Sequence, residues 1–131
     1  MPHFTMEYSA NLEDVVDFPE LCRIVHTSIL ATSLFELGAI RVRALRADAY
    51  AVADLQPENG FIDMSFRIGE GRSEVEKSNA GEAIFLAVTR TLARLFDAPH
   101  FALSLEIREI DADLSWKKNS IHARLRGQAA N

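Results

Sequence analysis

A chain of 131 residues, 48% hydrophobic and 25% charged, has ordinary globular composition and room for one domain, not two. Its net charge of −5 argues against non-specific nucleic-acid binding, which draws on a basic footprint. The single cysteine, Cys22, has no disulfide partner in the chain, and no apolar run approaches the roughly 18 residues of a membrane span, so the expectation is a cytoplasmic protein without a membrane partner.

The chain opens Met1-Pro2-His3-Phe4-Thr5-Met6-Glu7-Tyr8-Ser9-Ala10-Asn11. Phe4, Met6 and Tyr8 alternate with His3, Thr5, Glu7 and Ser9, the period-two pattern of a half-buried strand. Pro2 follows the initiator methionine, and a small second residue is what amino-terminal processing accepts. Without Met1, Pro2 would carry a free secondary amine, held at the head of a strand instead of on a fraying tail. Taken alone the motif reads first as a stable terminus. The rest of the chain turns that reading around.

Asp17-Phe18-Pro19-Glu20 is a helix start: Asp17 caps, Pro19 suits the first turn and Glu20 closes a D-x-x-E capping box. Phe18, Leu21, Cys22, Val25 and Ile29 then recur at helical spacing, which makes Cys22 a small core residue and not a nucleophile. Gly38 ends the segment. Ile40-Arg41-Val42-Arg43-Ala44 alternates as a second strand, expected to extend through Tyr50, and Pro57 to Gly60 is turn chemistry. The pattern then restarts. Ile62, Met64, Phe66 and Ile68 mark one face of a third strand, Gly69-Glu70-Gly71-Arg72 is a glycine-rich loop, and Ser73-Glu74-Val75-Glu76 is a second capping box. Gly81, Ile84, Phe85, Val88, Leu92, Leu95 and Phe96 predict a long helix ending near Asp97. Phe101, Leu103, Leu105 and Ile107 alternate as a fourth strand. Leu114 to Leu125 holds too few apolar residues for its own core and is expected to be a docked arm, with a disordered end from Gly127 to Asn131.

The element order is thus β-α-β twice, at an offset of about 60 residues. It predicts an α/β (α+β) fold: a single domain over 1–131 made of two units, about 1–56 and 61–110, plus the carboxy-terminal arm. Parallel pairing and right-handed crossovers within each unit give a four-stranded mixed sheet with two helices on one face. The other face would carry His3, Glu7, Arg41, Arg43, Asp63, Arg67, Glu106 and Arg108, among others. Parallel strands are usually covered on both sides, so this polar face is expected to be a subunit interface.

These residues resemble a known family. Pro2-His3-Phe4 leading to Glu7-Tyr8-Ser9-Ala10-Asn11, Gly38-Ala39-Ile40-Arg41-Val42-Arg43, Gly69-Glu70-Gly71-Arg72, and Ser115-Trp116-Lys117 through Ile121-His122-Ala123-Arg124 are together similar to the 5-carboxymethyl-2-hydroxymuconate isomerases of the tautomerase superfamily. The resemblance runs nearly end to end and in order. It implies a homotrimer of tandem β-α-β units, a small polycarboxylate substrate from aromatic-acid catabolism, an amino-terminal proline as catalytic base, and no metal or organic cofactor. The second unit begins at the internal residue Phe61, so the resemblance implies one active site per chain.

The chemistry of the residues runs alongside. Moving a proton along a conjugated dienol needs a group that accepts and returns it near neutral pH, and burial beside cations lowers an amine toward that range. Arginines must hold a polyanionic substrate against the acidic overall charge. Arg41 stands on the strand beside the first, and Arg72 precedes a helix amino terminus, a position that favours anions; the family carries substrate-binding arginines at both. Arg43 shares the parity of Arg41 and is a further candidate, with Glu7 or Glu106 as competing partners. Arg46 has the opposite parity and reads as a solvated charge. His3 and His122 read first as structural. No His/Cys cluster has metal-ligand spacing, and Gly69-x-Gly71 lacks the third glycine of a dinucleotide fingerprint. Two other readings remain open here: tautomerisation of another enol acid of the phenylpyruvate kind, or a non-catalytic trimer that binds small acids.

Overall fold

Burial alternates along the first strand as its sequence dictates. In β1, His3–Ser9, the side chains of Phe4 and Met6 are fully enclosed while Glu7 faces solvent. The computed structural model describes residues 1–130, with side chains as far as Gly127. Beyond β1 come α1 (Phe18–Ala31), β2 (Arg41–Ala47), β3 (Gly60–Gly69), α2 (Glu74–Thr91), β4 (Phe101–Ile110) and α3 (Ser120–Ala130). The strands form one sheet in the order β2-β1-β3-β4. β1 runs parallel to β2 and β3 parallel to β4, while β1 and β3 meet antiparallel.

Both helices start where their sequences prescribe, but only the Ser73 capping box closes, because the Glu20 carboxylate turns to Arg23 at 3.1 Å instead of back to the Asp17 N–H. The Asp17 carboxylate accepts the Glu20 N–H at 3.0 Å, and Ser73 and Glu76 exchange bonds of 3.1 and 2.9 Å. Each cap satisfies amide donors that a helix leaves unpaired, worth about 1 kcal/mol. Phe18, Leu21, Val25 and Ile29 of α1 and Ala80, Ile84 and Val88 of α2 turn inward. They cover the sheet face carrying Phe4, Met6, Ile62, Met64 and Phe66. Each fully buried large side chain contributes roughly 1.5–3 kcal/mol of transfer free energy. Cys22 is half-buried against this core, and its burial raises the thiol pKa. Among the described residues, no helix is long and apolar enough to cross a membrane.

Four boundaries differ from the sequence expectation. α1 ends at Ala31, well before Gly38, and Ser33 just beyond it takes a positive φ of 61° that no helix continues through. β2 ends at Ala47, short of Tyr50. The Tyr50 hydroxyl accepts the Asn11 N–H at 3.2 Å and its ring meets Phe61 edge-on, which draws the chain off the sheet edge. α2 stops at Thr91, and Leu92 leaves the helical basin before a tighter turn, Ala93–Asp97, brings Leu95 back onto the core. The carboxy-terminal arm is a helix that continues through Ala130, where an unstructured end from Gly127 was expected; Asn131 lies outside the described residues.

The seat of α3 explains why it forms. Asn119 caps it, its side-chain oxygen accepting from Ile121 N–H at 2.9 Å and His122 N–H at 3.2 Å. The same side chain donates to the Gly38 carbonyl at 2.9 Å. Arg126 grips Glu36 through bonds of 2.8 and 2.6 Å, and His122 Nδ1 stands 3.4 Å from that carboxylate. Gly38 is glycine because His122 lies on it: a Cβ there would meet His122 Nδ1 at 2.8 Å and the His122 backbone at 3.2 Å. The Gly38→Ala variant is expected to unseat α3, at a cost of about 1–3 kcal/mol. Amide exchange at residues 120–126 should accelerate roughly five- to hundred-fold while β1 and β3 stay protected. Unchanged exchange in α3 would show that the close approach is not what holds it.

Candidate active site

The head of β1 is fixed from two directions. Pro2 is fully buried, and its carbonyl accepts the Arg41 N–H at 3.2 Å, so β2 is bonded to the chain before the strand formally begins. Met1 continues outward into a cavity of about 410 Å³ walled by Ala39, Lys117, Asn119, His122 and Arg126. In the full-length chain the nitrogen of Pro2 is an amide, and the free amine at this place belongs to Met1. That amine is held below the ordinary α-amino pKa, first by burial and then by the charges of Lys117, Arg72, Arg41 and Arg67. All five causes act in the same direction, since each disfavours the ammonium.

Arg72 is anchored as the loop geometry requires. Its guanidinium donates to the Gly69 carbonyl at 3.2 Å and to the Leu34 carbonyl at 2.8 Å, and stacks over the Phe35 ring at 4.3 Å. It therefore ties the Gly69–Arg72 loop to the end of the α1 connection. Of five N–H donors, these bonds leave three for a ligand. Arg72 Nη1 and the Met1 amine lie 3.8 and 3.9 Å from the point where a Cβ on Gly69 would stand, so they are no further apart than the sum of the two. Arg41 folds back toward its own turn, with Nη1 2.7 Å from the Ala39 carbonyl and 3.5 Å from that of Gly38. Arg41 and Arg72 thus share the field around the amine without lining the cavity that Met1 enters.

Arg43 is placed differently. It lies exposed on the open sheet face, and its Nη1 donates to His3 Nδ1 at 3.2 Å, not to Glu7 or Glu106. His3 accepts at Nδ1, so that nitrogen is the unprotonated one. Burial, then Arg43, Arg67 and Arg41, keep the His3 pKa below its ordinary value. Arg46 pairs with Asp48 at 2.8 Å in solvent, as its parity foretold. Two cations around the amine were not singled out from sequence. Arg67 stands beside His3 in the β1–β3 register, a neighbour that its parity on β3 could have revealed. Lys117 sits in a segment with no periodicity to place it.

Two crossed β-α-β units with the amino terminus at the head of an inner strand are the tautomerase fold. The same fold is seen in W0, a fused 4-OT solved as a symmetric trimer, with a TM-score of 0.56 at 13% identity over 88% of this chain and 93% of that one. Closer relatives narrow the class. A 5-carboxymethyl-2-hydroxymuconate Delta-isomerase of Escherichia coli is 37% identical over 123 residues, spanning 94% of this chain and 98% of that protein. The crystal structure of a 5-carboxymethyl-2-hydroxymuconate isomerase from Deinococcus radiodurans R1 superposes with a TM-score of 0.89 at 41% identity, over 95% of this chain and 94% of that one. The sequence pattern of the 5-carboxymethyl-2-hydroxymuconate isomerases matches residues 2–125, and the chain belongs to that family of isomerases.

The ring of cations has a direct consequence for titration. Arg72→Gln removes one charge that disfavours the ammonium, so the terminal amine should titrate at higher pH than in the parent chain. The pH dependence of selective amino-terminal acylation reads this shift. An unmoved midpoint would mean the guanidinium does not act on the amine.

Proposed function

We propose that the chain isomerises 5-carboxymethyl-2-hydroxymuconate to its 2-oxo-ene isomer, with the amine of Pro2 as general base and then general acid. The observation that carries this reading is the position of Pro2: fully buried, bonded to β2, and one residue from an amine ringed by cations. Consecutive Cα atoms lie about 3.8 Å apart, so removal of Met1 leaves the proline nitrogen facing the same charges. It also adds the volume of the methionine to the cavity and opens a path to that nitrogen.

The reaction follows from these parts. The unprotonated amine takes the enol proton, leaving a conjugated dienolate whose negative charge spreads along the chain of double bonds. The ammonium then returns the proton to a carbon, so substrate and product have the same atoms. Neighbouring guanidinium groups stabilise the dienolate and hold carboxylates, Arg41 from β2 and Arg72 from the glycine-rich loop. They also bring the amine toward neutrality, where a base works best. Arg43, bonded to His3, acts through its charge on that imidazole. The step as written uses no metal or organic cofactor.

The proposed assembly is a homotrimer. The open sheet face carries in-register rows of opposite charge, and Leu114 and Trp116 stand 71% and 85% exposed, which is costly for a free monomer. The symmetric trimer of the fused 4-OT shows that this fold can close in threes.

Two outcomes test these readings. Tag-free protein active in an ultraviolet assay of the muconate should have an intact mass one methionine short of 131 residues. In that protein Pro2→Ala leaves a primary amine in place, so activity should fall without vanishing. A full-length mass in an active preparation would exclude Pro2 as the base. Sedimentation should give three chains per particle at micromolar concentration, and a monomer there would exclude the trimer.

A further inference from the structure

We infer that Lys117 binds the carboxylate at the far end of the substrate from the arginines, and thereby sets the preference for polycarboxylate over monocarboxylate enols. This rests on the isomerase reading above. The cavity that Met1 enters has three basic side chains on its wall, Lys117, His122 and Arg126. Two are engaged with protein: Arg126 grips Glu36 in a two-pronged pair, and His122 faces the same carboxylate. Among the described residues Lys117 has neither an ion pair nor a hydrogen bond, and it is exposed at the cavity wall.

An unpaired ammonium on a flexible four-carbon stem can follow a ligand that arrives, where the anchored guanidinium groups of Arg41 and Arg72 cannot. Its backbone is nevertheless well placed. Lys117 lies two residues before Asn119, whose bond to the Gly38 carbonyl at 2.9 Å fixes the strap leading into α3. Apart from burial, its charge is the strongest influence on the Met1 amine, ahead of Arg72 and Arg41, so it stands within the field of the base. The cations around the base thus fall in two groups, Lys117 on the wall of the cavity and Arg41 and Arg72 outside it. A small acid with one carboxylate can satisfy only one of these groups. A dienol with carboxylates at both ends can reach both.

The experiment compares kcat/KM on carboxymethyl-hydroxymuconate with kcat/KM on a monocarboxylate enol, phenylenolpyruvate. It uses the parent protein, Lys117→Met, Lys117→Arg and the neighbouring Lys118→Met. The parent should favour the polycarboxylate. In Lys117→Met that preference should fall about ten- to hundred-fold, the range of one charge-assisted bond, mainly through KM. Any change in the base itself affects both substrates alike and cancels in the ratio. Lys117→Arg should restore most of the preference, and Lys118→Met should match the parent. Because Lys117 is exposed and unpaired, its replacement leaves the packing intact. A ratio unchanged in Lys117→Met would overturn the assignment.

Calorimetric binding of a saturated tricarboxylate analogue of the substrate separates the two readings without turnover. Should the parent turn over neither substrate, the isomerase reading falls. Lys117 still stands if the analogue binds the parent ten- to hundred-fold more tightly than Lys117→Met. Equal binding to both proteins, or none to either, overturns it.

Discussion

The pairing of β1 on both edges is the constraint from which the rest follows. An inner strand cannot fray. It is bonded to β2 on one side and β3 on the other, and Phe4, Met6 and Tyr8 are sunk into the layer beneath α1 and α2. An amino terminus is ordinarily the least ordered part of a chain. Here it becomes one of the best located points, because the sheet continues one residue beyond the strand through the bond from Arg41 to the Pro2 carbonyl. A terminal amine can only serve as a positioned base if this holds.

Register does the second part of the work. Because side chains alternate with a period of two, aligning His3 with Arg41 on one side and Arg67 on the other also aligns every deeper residue. Arg108 extends this row from β4. Four residues further along β1, Glu7 lies beside Asp63, so the open face carries cations near the head of β1 and acids toward its end. An acidic protein thereby concentrates positive charge at the head of β1. A slip of one residue would bury these charges and expose the core, which makes the charge pattern and the hydrophobic pattern a single specification.

Most of this architecture was legible in sequence, for identifiable reasons. Period-two runs at Phe4–Tyr8 and Ile62–Ile68 and the helix caps at Asp17 and Ser73 are local signals, and local physics decided them. What escaped was decided by distant partners. Nothing near Tyr50 announces that its hydroxyl will meet Asn11, so the end of β2 was placed too late. α3 has little apolar periodicity, and it is settled by Glu36, Gly38 and its own cap at Asn119, none of which its helical residues could report. Of the cations whose charge reaches the terminal amine, Arg41 and Arg72 were singled out by strand position and loop type. Arg43 shares the parity of Arg41 but turns to His3, a choice between near-equivalent partners that only coordinates resolve. Lys117 was hidden in a strap whose course depends on a single amide–carbonyl bond.

The Gly38 carbonyl receives both the Asn119 amide, at 2.9 Å, and, more loosely, the Arg41 guanidinium, at 3.5 Å. One oxygen is therefore a common pivot for the terminal helix and for a cation that acts on the amino-terminal amine. Changes made on α3, well outside the sheet, will be transmitted to Arg41 as a small reorientation, and changes at Arg41 will be felt in how firmly the helix is seated. Substitutions at the two places should then combine non-additively. Over evolutionary drift the carboxy-terminal helix and the second strand would be expected to vary as one inherited unit, however far apart they lie along the chain.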